Sequence, residues 1–411
     1  MSPETTEAPA YWKRNLLVSS LGAFTTVIGM TLVLPILPLY VKDLGASSTA
    51  QIATFSGLAY AGTFLTAGLT APLWGHLGDK YGRKSMLVRA SLGMAVAMSL
   101  IGMAQNVWQL VALRLLAGLL SGYASGATIL VAAQAPRHRS AWALGMLSSA
   151  IMAGNVAGPL LGGALSQAFG VKHAFFAVGA LIFVAFLGTA FLLKEAPREQ
   201  RAAKRTAPRQ SFGQLPHKPV VLCLLGLSTL LMFATMSAEP IITVHVQKLG
   251  GGSAQVAMLS ALVFSLTALG TVISGPWLGR LADRHGHLKI LAWCLAATTV
   301  LLVLQAVAGQ LWLFAVLRFA TGLALGGVTP SVVATIRRLV PDGSVGLVLG
   351  YNISAQYLGQ VTGPIAAGAL GGLAGTNSVF ALTAVLTAAG VAATLLITRK
   401  LPAGGAAPVK A

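Results

Sequence analysis

The fold is decided by a short polar loop that occurs twice, as GHLGDKYGRK at residues 75–84 and as GRLADRHGH at residues 279–287. Outward from this loop, other positions recur at a spacing of 204 or 205 residues: Pro72 and Pro276, Trp108 and Trp312, Arg114 and Arg318, Gly118 and Gly322, Gly158 and Gly363, Pro159 and Pro364. The chain therefore consists of two similar halves. Duplicated apolar halves are typical of proteins whose halves move about a shared site.

The composition is that of a membrane protein. Of the 411 residues, 55% are apolar and 9% are charged, against roughly 25% charged residues in soluble domains. Apolar runs of about 20 residues can cross the hydrocarbon core, and they do so as helices because helices satisfy their own backbone groups. We predict an all-α membrane protein with twelve transmembrane helices, at residues 16–41, 52–74, 85–105, 107–132, 142–168, 173–193, 220–246, 255–280, 288–308, 311–335, 345–370 and 377–397.

The net charge of +19 is distributed unevenly over this map. Outside the spans, only Lys42, Lys172 and Lys248 lie on one side, whereas the termini, the repeated loops and the central segment lie on the other and hold the remaining Lys and Arg. Cytoplasmic loops of membrane proteins have this excess of basic residues. We therefore predict that both termini are cytoplasmic, and that the basic charge sets the topology rather than binding nucleic acid.

The same map divides the chain into four parts. We predict an N-terminal six-helix bundle (1–193), a basic cytoplasmic linker (194–219), a C-terminal six-helix bundle (220–400) and a disordered tail (401–411). The two cysteines, Cys223 and Cys294, lie within predicted spans and lack the spacing of metal ligands, so packing is their expected role.

Four motifs occur in order at the expected spans. They are the pattern Gly-x-Leu-x-Asp-x-x-Gly-Arg-Lys in the first loop, Arg114 with Gly118 in span 4, GNVAGPLLGG at residues 154–163 in span 5, and PILP at residues 35–38 in span 1. In these motifs the chain resembles the major facilitator superfamily over nearly its whole length. More narrowly, it resembles bacterial twelve-span drug:proton antiporters of the multidrug-efflux kind. The second loop departs from the pattern, because His287 and Leu288 replace the Arg-Lys pair.

This resemblance implies the major facilitator fold, with two pseudo-symmetric six-helix bundles in the bacterial cytoplasmic (inner) membrane. It implies a proton-coupled secondary transporter that exports amphipathic or cationic drugs by alternating access and needs no cofactor. The partners would be a small-molecule substrate, protons and the lipid bilayer. A monomer would suffice, because one twelve-span chain makes a complete pathway.

The resemblance also assigns a role to six loop residues, which we call the cytoplasmic latch: Gly75, Gly78, Asp79, Gly82, Arg83 and Asp283. Gly78 and Gly82 permit a tight turn between antiparallel spans. In the family, the acid at the position of Asp79 contacts span 11 of the other half, and the base at the position of Arg83 stabilises that contact. The latch would hold the cytoplasmic side closed; a solvated turn with topogenic charge is the alternative.

Glu239 is the only one of nine carboxylates that lies well within a predicted span, about 10 Å from its outer end. Charges in hydrocarbon are costly and are usually functional. Arg114 and Arg318 lie at a matching depth in spans 4 and 10, so Glu239 can meet Arg318 in its own half or Arg114 across the gap. Poorly hydrated surroundings favour a protonated carboxyl group and a nearby arginine opposes this. We predict that these three residues couple protons to substrate; a static ion pair is the alternative.

Two further sets of residues are candidates for shaping the pathway. Small residues and prolines are predicted to pack and bend spans 1, 5 and 11, at Pro35, Pro38, Gly154, Gly158, Pro159, Gly363 and Pro364. Methionine, aromatic and amide side chains could line an adaptable substrate cavity, although packing explains any one of them equally well, at Tyr60, Tyr123, Met146, Met232, Phe233, Met236, Gln356 and Tyr357.

Other classes of function lack their sequence signatures. The chain has no Gly-Lys-Ser/Thr phosphate loop for ATP hydrolysis, and no convergent nucleophile, base and oxyanion groups of a membrane enzyme. The alternative is a proton-coupled exporter or importer of a small metabolite (sugar, amino acid or carboxylate) with the same fold. Such a transporter normally has several polar residues at the midplane, whereas this chain has one carboxylate and few amides there.

Overall fold

The computed structural model describes residues 11–136, 139–195, 218–250 and 255–400. Most of the predicted linker and the whole predicted tail lie outside these residues. The described residues form helices and no strand: α1 (Trp12–Thr31), α2 (Val33–Asp43), α3 (Thr49–Tyr81), α4 (Arg83–Gly102), α5 (Val107–Leu120), α6 (Tyr123–Gln134), α7 (Ser140–Phe169), α8 (Val171–Leu192), α9 (Lys218–Leu249), α10 (Val256–His285), α11 (His287–Val307), α12 (Leu311–Leu325), α13 (Val328–Leu339), α14 (Asp342–Ala374) and α15 (Thr376–Lys400). The predicted all-α class is confirmed.

Three of the predicted spans are divided into two helices. Span 1 is divided at Leu32, between α1 and α2, and span 10 is divided between α12 and α13. Span 4 is divided most sharply, because Ser121 is extended and Gly122 has a φ of 108°. Only glycine adopts this left-handed conformation without strain, so the sequence of span 4 builds in a bend.

Eleven segments of the described residues are long and apolar enough to cross a membrane. The eleventh predicted span, at residues 345–370, falls in α14, which has 33 residues but is not among these eleven segments. Its amides at Asn352, Gln356 and Gln360 lower its mean hydropathy and, at a spacing of four residues, lie on one face of the helix. The count of twelve spans therefore stays a prediction.

The internal repeat is visible in the local geometry. Gly82 separates α3 from α4 with a φ of 102°, and Gly286 separates α10 from α11 with a φ of 97°. The closest helix contacts recur as well. A Cβ at Gly118 would clash with the Thr63 carbonyl, and a Cβ at Gly322 would clash with the Thr267 carbonyl. The two halves thus share backbone conformation and packing, which the recurrence of sequence letters alone could only suggest.

The chain forms two compact units. The first unit comprises residues 1–206 and 242–265, and the second comprises residues 207–241 and 266–411. This division cuts α9 and α10 internally, whereas the sequence places the boundary in the linker. The boundaries at 193 and 220 therefore stay predictions.

Each unit has apolar cores of its own. In the first unit, one core forms around α2, α4 and α8, with Tyr40, Met98 and Phe175 fully buried. In the second, Leu224, Leu295 and Ile336 join α9, α11 and α13. These cores fix the helices on which the buried charges lie.

Candidate proton-coupling site and cytoplasmic latch

Glu239 on α9 and Arg318 on α12 both lie in the second unit and are 7% and 4% exposed. The two groups interact electrostatically. Glu239 Oε2 and Arg318 Nε have no hydrogen-bond partner among the described residues. Two buried opposite charges with unsatisfied polar atoms are costly to hold in one arrangement. Whether the pair couples protons or only holds the two helices together stays a prediction.

A further buried polar group contacts α12 one turn from Arg318 and was not singled out from the sequence. Gln305 on α11 is fully buried and donates a 2.7 Å hydrogen bond to the hydroxyl of Thr321. Thr321 is three residues after Arg318 and so lies on the same face of α12. Gln305 Oε1 has no hydrogen-bond partner among the described residues. Gln305 is therefore bonded to α12 one helical turn from Arg318.

Arg114 on α5 lies in the first unit and is 2% exposed. Its Nε donates to the Ala59 carbonyl over 3.4 Å, and its Nη1 is buried without a partner among the described residues. Within the described first unit, no carboxylate pairs with this side chain. A fully desolvated cation of this kind is expected to be functional.

In the first loop of the latch, the turn is held by one backbone hydrogen bond and by the side chain of Arg83. The N–H of Gly82 bonds to the carbonyl of Gly78 over 3.1 Å. The Arg83 guanidinium folds back over Gly78, since a Cβ at Gly78 would lie 3.0 Å from Arg83 Nη1. Gly75 has open space around it, so nothing in its surroundings requires a glycine. The Asp79 side chain is outside the described part of the chain, and its contact with span 11 stays a prediction.

The carboxylate of Glu195, which follows α8, accepts hydrogen bonds from two backbone N–H groups at the start of α4. They are those of Arg83, at 2.7 Å, and Lys84, at 3.0 Å. The first N–H groups of a helix have no partner within it, and an anion there is stabilised by the helix dipole. Glu195 was counted from the sequence only as part of the linker, because a long-range helix cap leaves no local pattern.

The second loop uses different side chains at the same positions. Asp283 approaches His287, with 3.5 Å between Oδ1 and Nε2. His287 is largely buried. The second loop has Ala282 at the position of Gly78 and His287 at the position of Arg83. The imidazole of His287 is shorter than the Arg83 side chain, which fits the presence of a Cβ at Ala282. Within the described residues, no group of three His, Cys, Asp or Glu could hold a metal ion.

The predicted kink residues lie at close helix contacts. Pro38 lacks an N–H and leaves the carbonyl of Leu34 free, and the hydroxyl of Tyr60 donates to that carbonyl over 2.8 Å. A Cβ at Gly154 would lie 2.9 Å from the Phe24 carbonyl, and one at Gly158 would clash with Thr31. The GNVAGPLLGG motif at residues 154–163 thus packs α7 against α1.

The second unit repeats this packing. A Cβ at Gly363 would lie 2.7 Å from the Phe233 carbonyl, so α14 approaches α9 closely. Pro159 and Pro364 lie within α7 and α14, one residue after the contact glycines. Pro35 lies near the start of α2, and Thr243 donates to its carbonyl over 3.0 Å within the first unit.

The eight predicted cavity residues are divided between the two units. In the first unit, Tyr60 bonds to Leu34 as above, Tyr123 bonds to Thr189 over 2.8 Å, and Met146 is exposed. In the second unit, Met232 and Gln356 line a cavity of about 10 Å³, the size of one water molecule. Phe233, Met236 and Tyr357 are half-buried. The role of these eight residues in contacting a substrate stays a prediction.

Arg89 and Trp74 form a clamp at the bend of span 4 that the sequence did not single out. The Arg89 guanidinium lies 3.6 Å from the centre of the Trp74 ring. Its Nη2 donates to the carbonyl of Ser121 over 3.2 Å, and Trp74 Nε1 donates to the carbonyl of Leu119 over 2.8 Å. Both carbonyls lie where the helix is interrupted, so α3 and α4 supply donors to the bend. The counterparts in the second half are Leu278 and Trp293, which cannot do this.

These features define a class: a multi-pass membrane protein of two repeated halves with buried ionisable groups. The family model described as the Major Facilitator Superfamily matches residues 19–263 and 224–411. The chain belongs to the Major Facilitator Superfamily, a family of membrane transporters. The resemblance drawn from the four motifs is confirmed.

Curated relatives cover the chain almost completely. It is 38% identical over 384 residues to "Multidrug resistance protein MdtG" of Salmonella paratyphi A, a match that covers 93% of this chain and 95% of that protein. The identity is also 38% to the protein of the same name from Citrobacter koseri, over 93% of this chain and 94% of the relative.

Solved structures share the fold. One is a bacterial homologue of the human lysosomal transporter Spinster in an inward-facing and occupied conformation, with a TM-score of 0.76, 16% sequence identity, and coverage of 96% of this chain and 98% of that one. Another is the human organic anion transporter MFSD10 (TETRAN), with a TM-score of 0.68, 18% identity, and coverage of 94% and 100%. At these identities the likeness concerns the fold alone, and it confirms the predicted major facilitator fold.

Proposed function

We propose that the chain is a proton-coupled antiporter that exports amphipathic or cationic drugs across the bacterial inner membrane by alternating access. The observation that carries the proposal is Glu239, a buried acid within electrostatic range of Arg318 and with an unsatisfied oxygen. The relatives named as multidrug resistance proteins support the drug substrate. The motif at residues 154–163 resembles the span-5 motif associated with antiporters of this superfamily, which supports export.

The coupling follows from the electrostatics of one carboxyl group. In poorly hydrated surroundings Glu239 favours its neutral form, and the positive charge of Arg318 favours the carboxylate. A cationic substrate that approaches Glu239 adds a second positive charge and releases the proton. When the substrate leaves, the proton can return from the other side of the membrane. One acid thus binds either a proton or a cation, which is the requirement for exchange.

We further propose that the protein acts as a monomer with both termini in the cytoplasm. The basic residues on the side of the repeated loops support this orientation. Reporter fusions after α15 and after Lys172 test it. Cytoplasmic reporter activity is expected only for the first fusion, and the reverse pattern would contradict the orientation.

Transport itself is tested in inside-out vesicles with an imposed pH gradient. A cationic amphipathic drug is expected to collapse the gradient in vesicles that contain the protein and to leave it intact in vesicles without it. The metabolite alternative gives a different pattern, because a sugar, amino acid or carboxylate would collapse the gradient and the drug would not.

A further inference from the structure

A groove of about 330 Å³ lies between the first turns of α11 and the last turns of α15, wholly within the second unit. Its walls are mainly apolar, and they are formed by Leu288, Lys289, Ala292, Trp293, Ala296, Val391, Leu395 and Thr398. Lys289 is the one charged residue of this lining. Trp293 is 77% exposed, which is unusual for so large a side chain unless lipid or a partner covers it.

In the first half, a carboxylate binds the start of α4, the helix that corresponds to α11. There α4 begins at Arg83, and the carboxylate of Glu195 binds the free N–H groups of its first turn. In the second half α11 begins 204 residues later, at His287, and its N-cap residue, Gly286, has no side chain to offer. The positions that match Glu195 are Arg399 and Lys400, which are basic. The second half therefore has basic residues where the first half has the capping carboxylate.

We propose that this groove binds an anionic phospholipid. The phosphate lies beside Lys289 and the first turn of α11, where both the ammonium group and the helix dipole attract an anion. One acyl chain follows the apolar wall along Ala292, Ala296 and Leu395. Trp293 then lies at the level of the headgroups, where tryptophan is enriched in membrane proteins.

A lipid is the occupant that the groove fits, because the protein lies in a bilayer and the groove combines a cationic end with an apolar wall. A soluble anion would gain nothing from the wall, and an apolar partner helix would leave Lys289 unpaired. The proposal depends on membrane embedding and not on the proposed transport, so each can fail without the other.

Native mass spectrometry of the purified full chain tests the site, with phosphatidylglycerol and phosphatidylcholine as the two probes. The wild-type protein is expected to retain phosphatidylglycerol preferentially. Lys289→Gln should lower that retention about fivefold, the effect of one lysine near a phosphate, and leave phosphatidylcholine unchanged. Lys289→Arg should restore retention, and Lys172→Gln, the same change of charge in the first unit, should behave as wild type.

Trp293→Ala is expected to weaken retention of both lipids, because it removes apolar contact without changing charge. Three results would each overturn the proposal. These are equal retention of the two lipids by the wild-type protein, unchanged phosphatidylglycerol retention in Lys289→Gln, and displacement of the lipid by inorganic phosphate, which lacks acyl chains.

Discussion

Glu195 Oε1 accepts a 2.7 Å hydrogen bond from the backbone N–H of Arg83, which joins the end of the sixth predicted span to the turn of the first repeated loop. The second carboxylate oxygen takes the next N–H, that of Lys84. A residue that the sequence assigns to the linker therefore determines how α4 begins. Since Arg83 belongs to the predicted latch, Glu195 connects the end of α8 directly to the latch.

Glu195→Gln is expected to lower the free energy of unfolding by about 1–2 kcal/mol, because it removes the charge that favours the helix N-terminus and one of the two acceptors. Thermal unfolding in detergent measures the effect. Glu199→Gln makes the same change of charge four residues later and is the control. Equal melting temperatures of the two variants would show that the cap contributes nothing.

The clamp at the bend of span 4 should control turnover more than substrate binding. Arg89→Lys keeps the charge but loses the planar group that stacks on Trp74 and reaches Ser121, so we expect transport to slow about tenfold. Trp74→Phe keeps a ring and loses only the bond to Leu119, so a smaller loss is expected. Drug flux in vesicles measures both. A larger loss of drug flux in Trp74→Phe than in Arg89→Lys would contradict the idea that the Arg89 guanidinium makes the main contribution to the clamp.

The two loops should not be equivalent. Asp79→Asn is expected to slow transport strongly, because the first loop keeps the full pattern with Arg83. Asp283→Asn should have a smaller effect, since its neighbour His287 is charged only when protonated. Flux measured at matched membrane expression separates the variants. Wild-type flux in Asp79→Asn would reduce the first loop to a topogenic turn.

Gln305 is expected to position Arg318 through Thr321. Gln305→Leu keeps the volume but removes the 2.7 Å bond, so turnover should fall about tenfold while the apparent drug affinity changes little. Thr321→Val removes the same bond from the other side and should match it, whereas Thr298→Val, a buried change elsewhere on α11, should leave turnover near wild type. If Thr321→Val is active and Gln305→Leu is not, the bond between them is not the cause.

The sequence could predict features that depend on local patterns or on the internal repeat. Periodicity and apolar length gave the helical class, and the spacing of 204 residues gave the duplication that Gly82 and Gly286 display. Depth alone offered both Arg114 and Arg318 as partners of Glu239, because each of the three lies about two turns from the end of its span.

Contacts between distant segments could not be predicted in this way. Asn15 Nδ2 donates hydrogen bonds to Gln134 Oε1 over 2.6 Å and to the carbonyl of Lys194, which lie in distant parts of the chain. Nothing in the sequence places Trp74 beside Arg89. Tyr60 was assigned to a cavity from its residue type. Its bond to the Leu34 carbonyl could not be predicted, because that carbonyl is free only through Pro38, which lies 22 residues earlier in another helix.

The most direct test of the account is Glu239→Gln, which keeps the shape of the side chain but cannot release a proton. Inside-out vesicles with this variant, at wild-type membrane expression, should show no collapse of an imposed pH gradient when a cationic drug is added, whereas Glu195→Gln vesicles should still respond. A drug-induced collapse of wild-type size in Glu239→Gln would contradict proton coupling through this residue.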